Sequence, residues 1–206
     1  MTENPVGNKF RCILILGPPG SGKGTLGKFL SRAGNHFHLS SGDIFRGLDP
    51  ESPMGKLYHT YASKGFLVPD SVTIEMWKQY VDGLIATNRY FPTKQFLLLD
   101  GIPRTISQAS ILNQYIEVVK IIVLDMSNTE SLVKRMKRRA LIEKRQDDAD
   151  EEVLKTRMNI YEKETIELLS QYSPFLISHF NADQKPLEVL RDVLIELSHV
   201  LSHSEM

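Results

Sequence analysis

An apolar run of strand length empties straight into a glycine-rich loop across residues 11–25, RCILILGPPGSGKGT, with four glycines, two prolines and one lysine. A backbone wraps an anion closely only where no Cβ intervenes, and Gly17, Gly20, Gly22 and Gly24 remove that obstruction. Thr25, Leu26, Lys28, Phe29 and Leu30 continue as a helix pattern, so the loop opens a helix whose N-terminal N–H groups and dipole favour a phosphate. Lys23 adds a point charge suited to β- and γ-phosphates. The spacing G-x-x-x-x-G-K is met from Gly17 to Lys23; Gly24 stands where the general pattern carries Ser or Thr, and a hydroxyl follows at Thr25. The residues expected around the phosphates are Gly20, Ser21, Gly22, Lys23, Gly24 and Thr25.

The same alternation continues downstream. Continuous apolar runs mark strands covered by helices on both faces, as in parallel sheets. Cys12–Leu16, Phe96–Leu99, Val118–Leu124 and Leu176–Phe180 are of this kind, and a short run at Phe37–Leu39 leads into SSGD. Helical patterns lie at Val72–Leu84, Thr105–Tyr115, Thr129–Arg139, Glu151–Gln171 and Leu187–Leu201. Strand and helix in turn predict a doubly wound α/β fold. Ser40–Val68 carries Asp49-Pro50, Ser52-Pro53 and Gly65 without a strand-length apolar run, and reads as a small helical insertion. Trp77 and Tyr80, three apart in a helical pattern, are expected to pack in the core or at a domain junction. Asp43 is either a helix-start cap or an orienting group.

A chain of 206 residues supports one substantial core with insertions. Lys plus Arg equals Asp plus Glu at 25 each, so nucleic acid is not an expected partner. The single Cys12 excludes an intrachain disulfide and a cysteine-built metal cage, which fits a reducing interior. The apolar runs are far shorter than the roughly 20 residues that span a bilayer, and MTENPVGNKF lacks a signal core. A cytoplasmic enzyme without a membrane partner is expected. The six histidines show no ligand spacing with Cys or Glu.

Phosphoryl transfer needs oxygens held in line and charge neutralised around the moving group. Asp100 ends the run LLLD, placing a carboxylate at the carboxyl end of a strand, where open α/β sheets bind ligands. It suits a Mg²⁺-bound water; the other reading is a turn cap before Gly101. Arg104 can fork bidentately onto a phosphate. Between Lys134 and Arg145 stand seven basic residues against one acid, and acids follow from Asp147 to Glu152, a pattern that by itself suggests a solvated helix face.

GPPGSGKGT at 17–25, LSSGDIFR at 39–46, GFLVPD at 65–70, LLLDGIPRTISQA at 97–109 and RMKRRALIEKRQDD at 135–148 together resemble the adenylate kinases, in the family's order and over nearly the whole chain. The resemblance implies a P-loop three-layer α/β/α fold with a central parallel five-stranded sheet. It implies a core of 1–39, 69–137 and 149–206, a helical NMP-binding insertion at 40–68 and a short lid at 138–148. It also implies Mg²⁺-dependent transfer of the ATP γ-phosphoryl to AMP, giving two ADP, by a monomer.

Further roles come from the same resemblance. Lys23 and the loop amides cradle the triphosphate, with Thr25 and Asp100 around the magnesium. Arg46 and Arg104 grip the acceptor phosphate. Ser41, Phe45, the Val68 backbone and Gly101 line the acceptor pocket, and Gln108 reads the adenine edge. Arg135 covers the donor adenine, while Arg139, Arg145 and Arg157 close on the transferring phosphoryl. This turns the basic block into a lid that stabilises spread charge and excludes water. Lys144 replaces the family's glycine, and Arg145 to Arg157 is one residue longer than usual, which threatens to displace one of the two. The short lid leaves no place for structural zinc. A UMP or CMP acceptor, GTP as donor, or a non-catalytic nucleotide-binding protein are the alternatives; Ser41, Thr105 and Gln108 side with AMP.

Overall fold

Strands in which every residue is apolar need cover on both sides, and here each face of the sheet has its own helices. The computed structural model describes residues 9–143, 148 and 150–201. Strands β1 (Phe10–Leu16), β2 (Phe37–Ser40), β3 (Leu97–Asp100), β4 (Ile116–Asp125) and β5 (Ile177–Asn181) form one parallel sheet in the order β2-β3-β1-β4-β5. Successive residues point to opposite faces. Cys12, Leu14, Leu97, Leu99, Ile121 and Val123 meet Trp77, Val81, Ala109 and Leu112 of α4 (Asp70–Ala86) and α5 (Ile106–Leu112). On the other face Ile13, Ile15, Leu98, Ile122 and Leu124 meet Leu26, Leu30, Val189, Val193 and Leu197 of α1 (Lys23–Ala33) and α9 (Pro186–Leu201). This is the expected three-layer α/β/α arrangement.

Within the 40–68 stretch the chain forms α2 (Ser41–Arg46) and α3 (Pro53–Ala62), the latter started by Pro53 and by Ser52, whose hydroxyl accepts from the Gly55 amide at 3.0 Å. Helix α6 (Thr129–Glu143) runs unbroken past position 138, so the expected lid segment begins inside a helix. The long pattern from Glu151 is α7 (Glu151–Ile160), a π-helical turn at Tyr161–Thr165, α8 (Ile166–Leu168) and a 3₁₀ turn at Leu169–Gln171. Trp77 is buried edge-on to Phe10, but Tyr80 is 40% exposed. Three residues advance a helix by about 300°, enough to carry Tyr80 off the packed face, so only Trp77 fulfils the packing expectation.

Register fixes where ligands can go. Ile15 and Ser40 both pair with Asp100, so β1, β2 and β3 end in one row, and loop 17–22, Ser41 and Gly101–Arg104 leave from one edge. Strand β1, between β3 and β4, is where the strand order reverses, and open α/β sheets bind ligands at that point. Among the described residues no helix is long and apolar enough to cross a membrane.

Candidate active site

Beyond the carboxyl ends of the strands lies a cleft of about 810 Å³, lined by Gly20, Ser21, Gly22, Lys23, Gly24 and Thr25, as well as by Asp100, Arg104, Arg135, Arg139 and Arg157. Gly22 starts α1 at φ 100°, a left-handed conformation, and a Cβ there would stand in open space. Lys23 folds back on its own loop, donating to the Gly17 and Pro18 carbonyls at 2.8 and 2.9 Å. Burial pushes its ammonium down to about 8; Asp100 opposes that shift, and Arg104, Arg139 and Arg157 reinforce it. A polyphosphate entering the loop would favour the charged form.

Asp100 is buried, and its Oδ2 lies 3.4 Å from where a Cβ on Gly24 would stand, which puts the carboxylate against the phosphate loop rather than in a turn cap. Burial alone would raise its pKa, yet the neighbouring His38 ring, Lys23 and Arg104 hold it below the ordinary carboxylate range. His38 Nε2 is 3.7 Å away, longer than a hydrogen bond. Gly27 makes room for this ring, since a Cβ there would meet His38 Cδ2 at 2.3 Å. An ionised carboxylate and the Thr25 hydroxyl, both from residues that line the cleft, are the oxygen donors that Mg²⁺ takes, mostly through water.

A smaller pocket, about 80 Å³, adjoins the cleft and is lined by Ser41, Phe45, Tyr58, Val68, Gly101 and Gln108, sharing Arg46, Arg104 and Arg157 with it. Gly101 has φ 75°, and its carbonyl accepts from Ser41 Oγ and Arg104 Nε, both at 2.7 Å. Those bonds aim the Arg104 guanidinium, and Thr165 Oγ1, brought round by the π-helical turn, donates to the Arg104 carbonyl at 3.1 Å. Burial pushes Arg104 down to about 10, with Arg157 adding to the shift and Asp100 and Tyr58 opposing it, so it stays cationic near neutrality. Asp43, in the first turn of α2, accepts at Oδ1 from Arg46 Nη2 at 2.6 Å and orients that arginine. Phe45 stacks on Tyr58 with ring centroids 5.3 Å apart. Gln108 is buried, its Oε1 accepting from the Arg104 amide and its Nε2 donating to Asp70 Oδ1, each at 2.8 Å.

The third group comes from α6 and α7. Asp148 is fully buried and accepts from Arg139 Nε and Arg157 Nη1, each at 2.6 Å. Burial alone would raise the Asp148 pKa, but the two arginines hold it below the usual carboxylate range. Arg139 Nη2 is buried with no hydrogen-bond partner among the described residues, a cationic donor held in the cleft wall. Arg157 therefore reaches the cleft despite the longer interval; Arg145 and Lys144 lie outside the described residues. Arg135 donates to the Ala182 carbonyl at 3.0 Å and the Gln184 carbonyl at 3.4 Å, and Gln184 itself turns to Asp192 at 2.6 Å.

The structure thus brings together every residue expected at the site that it describes. Sequence reasoning did not single out Asp148, Asp70, His38, Tyr58 or Thr165. For Asp148 a signal existed in the acids that follow the basic block; the others depend on contacts between segments far apart in the chain.

The family model described as Adenylate kinase matches residues 15–176. A protein named adenylate kinase from Flavobacterium psychrophilum is 42% identical over 166 residues, covering 78% of this chain and 83% of the relative. One from Prochlorococcus marinus is 33% identical over 188 residues, with 88% and 95% covered. One from Borrelia turicatae is 31% identical over 214 aligned positions, with 90% and 97% covered.

Proposed function

The chain belongs to the adenylate kinase family, and on that premise we propose that it moves the γ-phosphoryl of ATP reversibly onto AMP, giving two ADP. The observation that carries the proposal is the continuity of the two pockets: a phosphate loop and a Gln108-lined base pocket share Arg104 and Arg157. Donor and acceptor phosphates entering from the two sides meet at these guanidinium groups.

Lys23, the loop amides and the first turn of α1 hold the triphosphate, and Arg135 covers the donor base. Asp100 and Thr25 would hold Mg²⁺, mostly through water, and the ion would supply positive charge against the phosphate oxygens. Arg46 and Arg104 orient the AMP phosphate, with Ser41, Gly101, Phe45 and the Val68 backbone around the nucleoside and Gln108 at the base edge. Arg139 and Arg157, with Arg145, stabilise the charge that spreads over the phosphoryl in flight. The segments 40–68 and 138–148 close over the remaining core to exclude water, since an exposed phosphoryl would be hydrolysed. We take a monomer as the working unit. The buried thiol of Cys12 suits a reducing, cytoplasmic setting.

Coupled assays of the purified protein with Mg²⁺-ATP and AMP, CMP, UMP or GMP in turn test this. AMP should be the best acceptor by kcat/KM; a better CMP or UMP would overturn the acceptor assignment, and no turnover with any acceptor would overturn the enzyme assignment. Substituting GTP for ATP at saturating AMP reads the donor preference.

A further inference from the structure

The amide of Gln108 is held in one orientation from two sides. The Arg104 backbone N–H can only donate, and it faces Oε1; the Asp70 carboxylate can only accept, and it faces Nε2. Turning the amide over would set donor against donor and acceptor against acceptor in a buried place, where each unmade bond is costly. Asp70 is itself fixed. It opens α4, and its Oδ2 accepts from Thr105 Oγ1 at 3.0 Å, while the same hydroxyl caps α5 by accepting from the Gln108 amide at 3.0 Å. The starts of two helices 35 residues apart in the chain thus close a ring around one side chain.

We propose that Asp70 is a positioning residue that sets which nucleobase the acceptor pocket takes. With one proton and one lone pair already engaged, Gln108 has one N–H and one lone pair left for the pocket it lines. That remaining pair matches adenine, whose N1 accepts and whose 6-amino group donates. It opposes a 6-oxopurine, whose N1–H donates and whose O6 accepts. Discrimination against hypoxanthine and guanine therefore depends on a carboxylate that touches no nucleotide. The inference rests on AMP being the acceptor.

The test compares the unsubstituted protein, Asp70→Ala and Asp70→Asn at saturating Mg²⁺-ATP, reading kcat, KM for AMP and the inhibition constant of IMP as a competitor. In Asp70→Ala the ratio of the IMP constant to the AMP KM should fall about tenfold, the net worth of one hydrogen bond, with kcat and the ATP KM within about twofold of their original values. Asp70→Asn, which keeps an acceptor oxygen, should restore most of the ratio. An unchanged ratio in Asp70→Ala, or equal weakening of AMP and IMP, would overturn the inference while leaving the proposed function standing; failure of the unsubstituted protein to use AMP would overturn both. A second readout needs no variant: in ¹⁵N-edited NMR one Gln108 side-chain proton should resist solvent exchange before AMP is added and the other should shift on addition. Equal exchange of both protons would also overturn it.

Discussion

Lys23 shows how far a single residue's chemistry is set by its neighbours. Its ammonium, pushed down to about 8, is the charged form below that pH and neutral above it. ATP affinity in the free protein should therefore hold steady to about pH 7.5 and fall roughly tenfold per unit well above pH 8, measured as kcat/KM for ATP. His38 marks the limit of reading side chains from sequence. The loop's glycines and lysine follow from local spacing alone, but His38 joins the site because Gly27 leaves it space, across two different elements. Gly27→Ala should push the ring off Asp100 and cost about 1–3 kcal/mol by overpacking, read as a lower Tm.

At the scale of elements, the central strands were legible because segments buried on both faces are largely apolar, and each observed strand falls within two residues of a run read from the sequence, although the edge strands β2 and β5 mix in His38, Ser178 and His179. The π-helical turn at Tyr161–Thr165 was not, since the helical spacing there carries no mark of a widened turn, yet it is what brings Thr165 to Arg104. The junction of α6 and α7 rests on Asp148 between two arginines. Its carboxyl titrates below its unfolded value of about 3.9, so the ion pairs stabilise the fold above that pH and lose their effect as pH falls through the lower folded value. Asp148→Asn should cost about 3–5 kcal/mol at pH 7 by urea unfolding, with the difference shrinking as the pH falls below about 3.9. Arg139→Ala, by contrast, should lower kcat by at least about a hundredfold with little change in either KM, because the cation it removes acts on charge that exists only in transit; an unchanged kcat would make it structural.

For the whole molecule, one row of strand ends gathers loops distant in sequence into one cleft, and the small pocket beside it holds only about 80 Å³. On the proposed function, segments 40–68 and 138–148 should close over the core once both nucleotides are bound, to keep water from the phosphoryl. Distances between spin labels on α3 and α9 should shorten when a bisubstrate analogue joining the two nucleosides is bound; equal distances with and without it would contradict closure. Direct passage of the γ-phosphoryl between nucleotides, with water excluded, is read by ³¹P NMR of Mg²⁺-ATP plus AMP with catalytic protein. Loss of the ATP γ signal should be matched by ADP signals at two ADP per ATP consumed, with no rise in inorganic phosphate. Release of inorganic phosphate with AMP left unconsumed would contradict it.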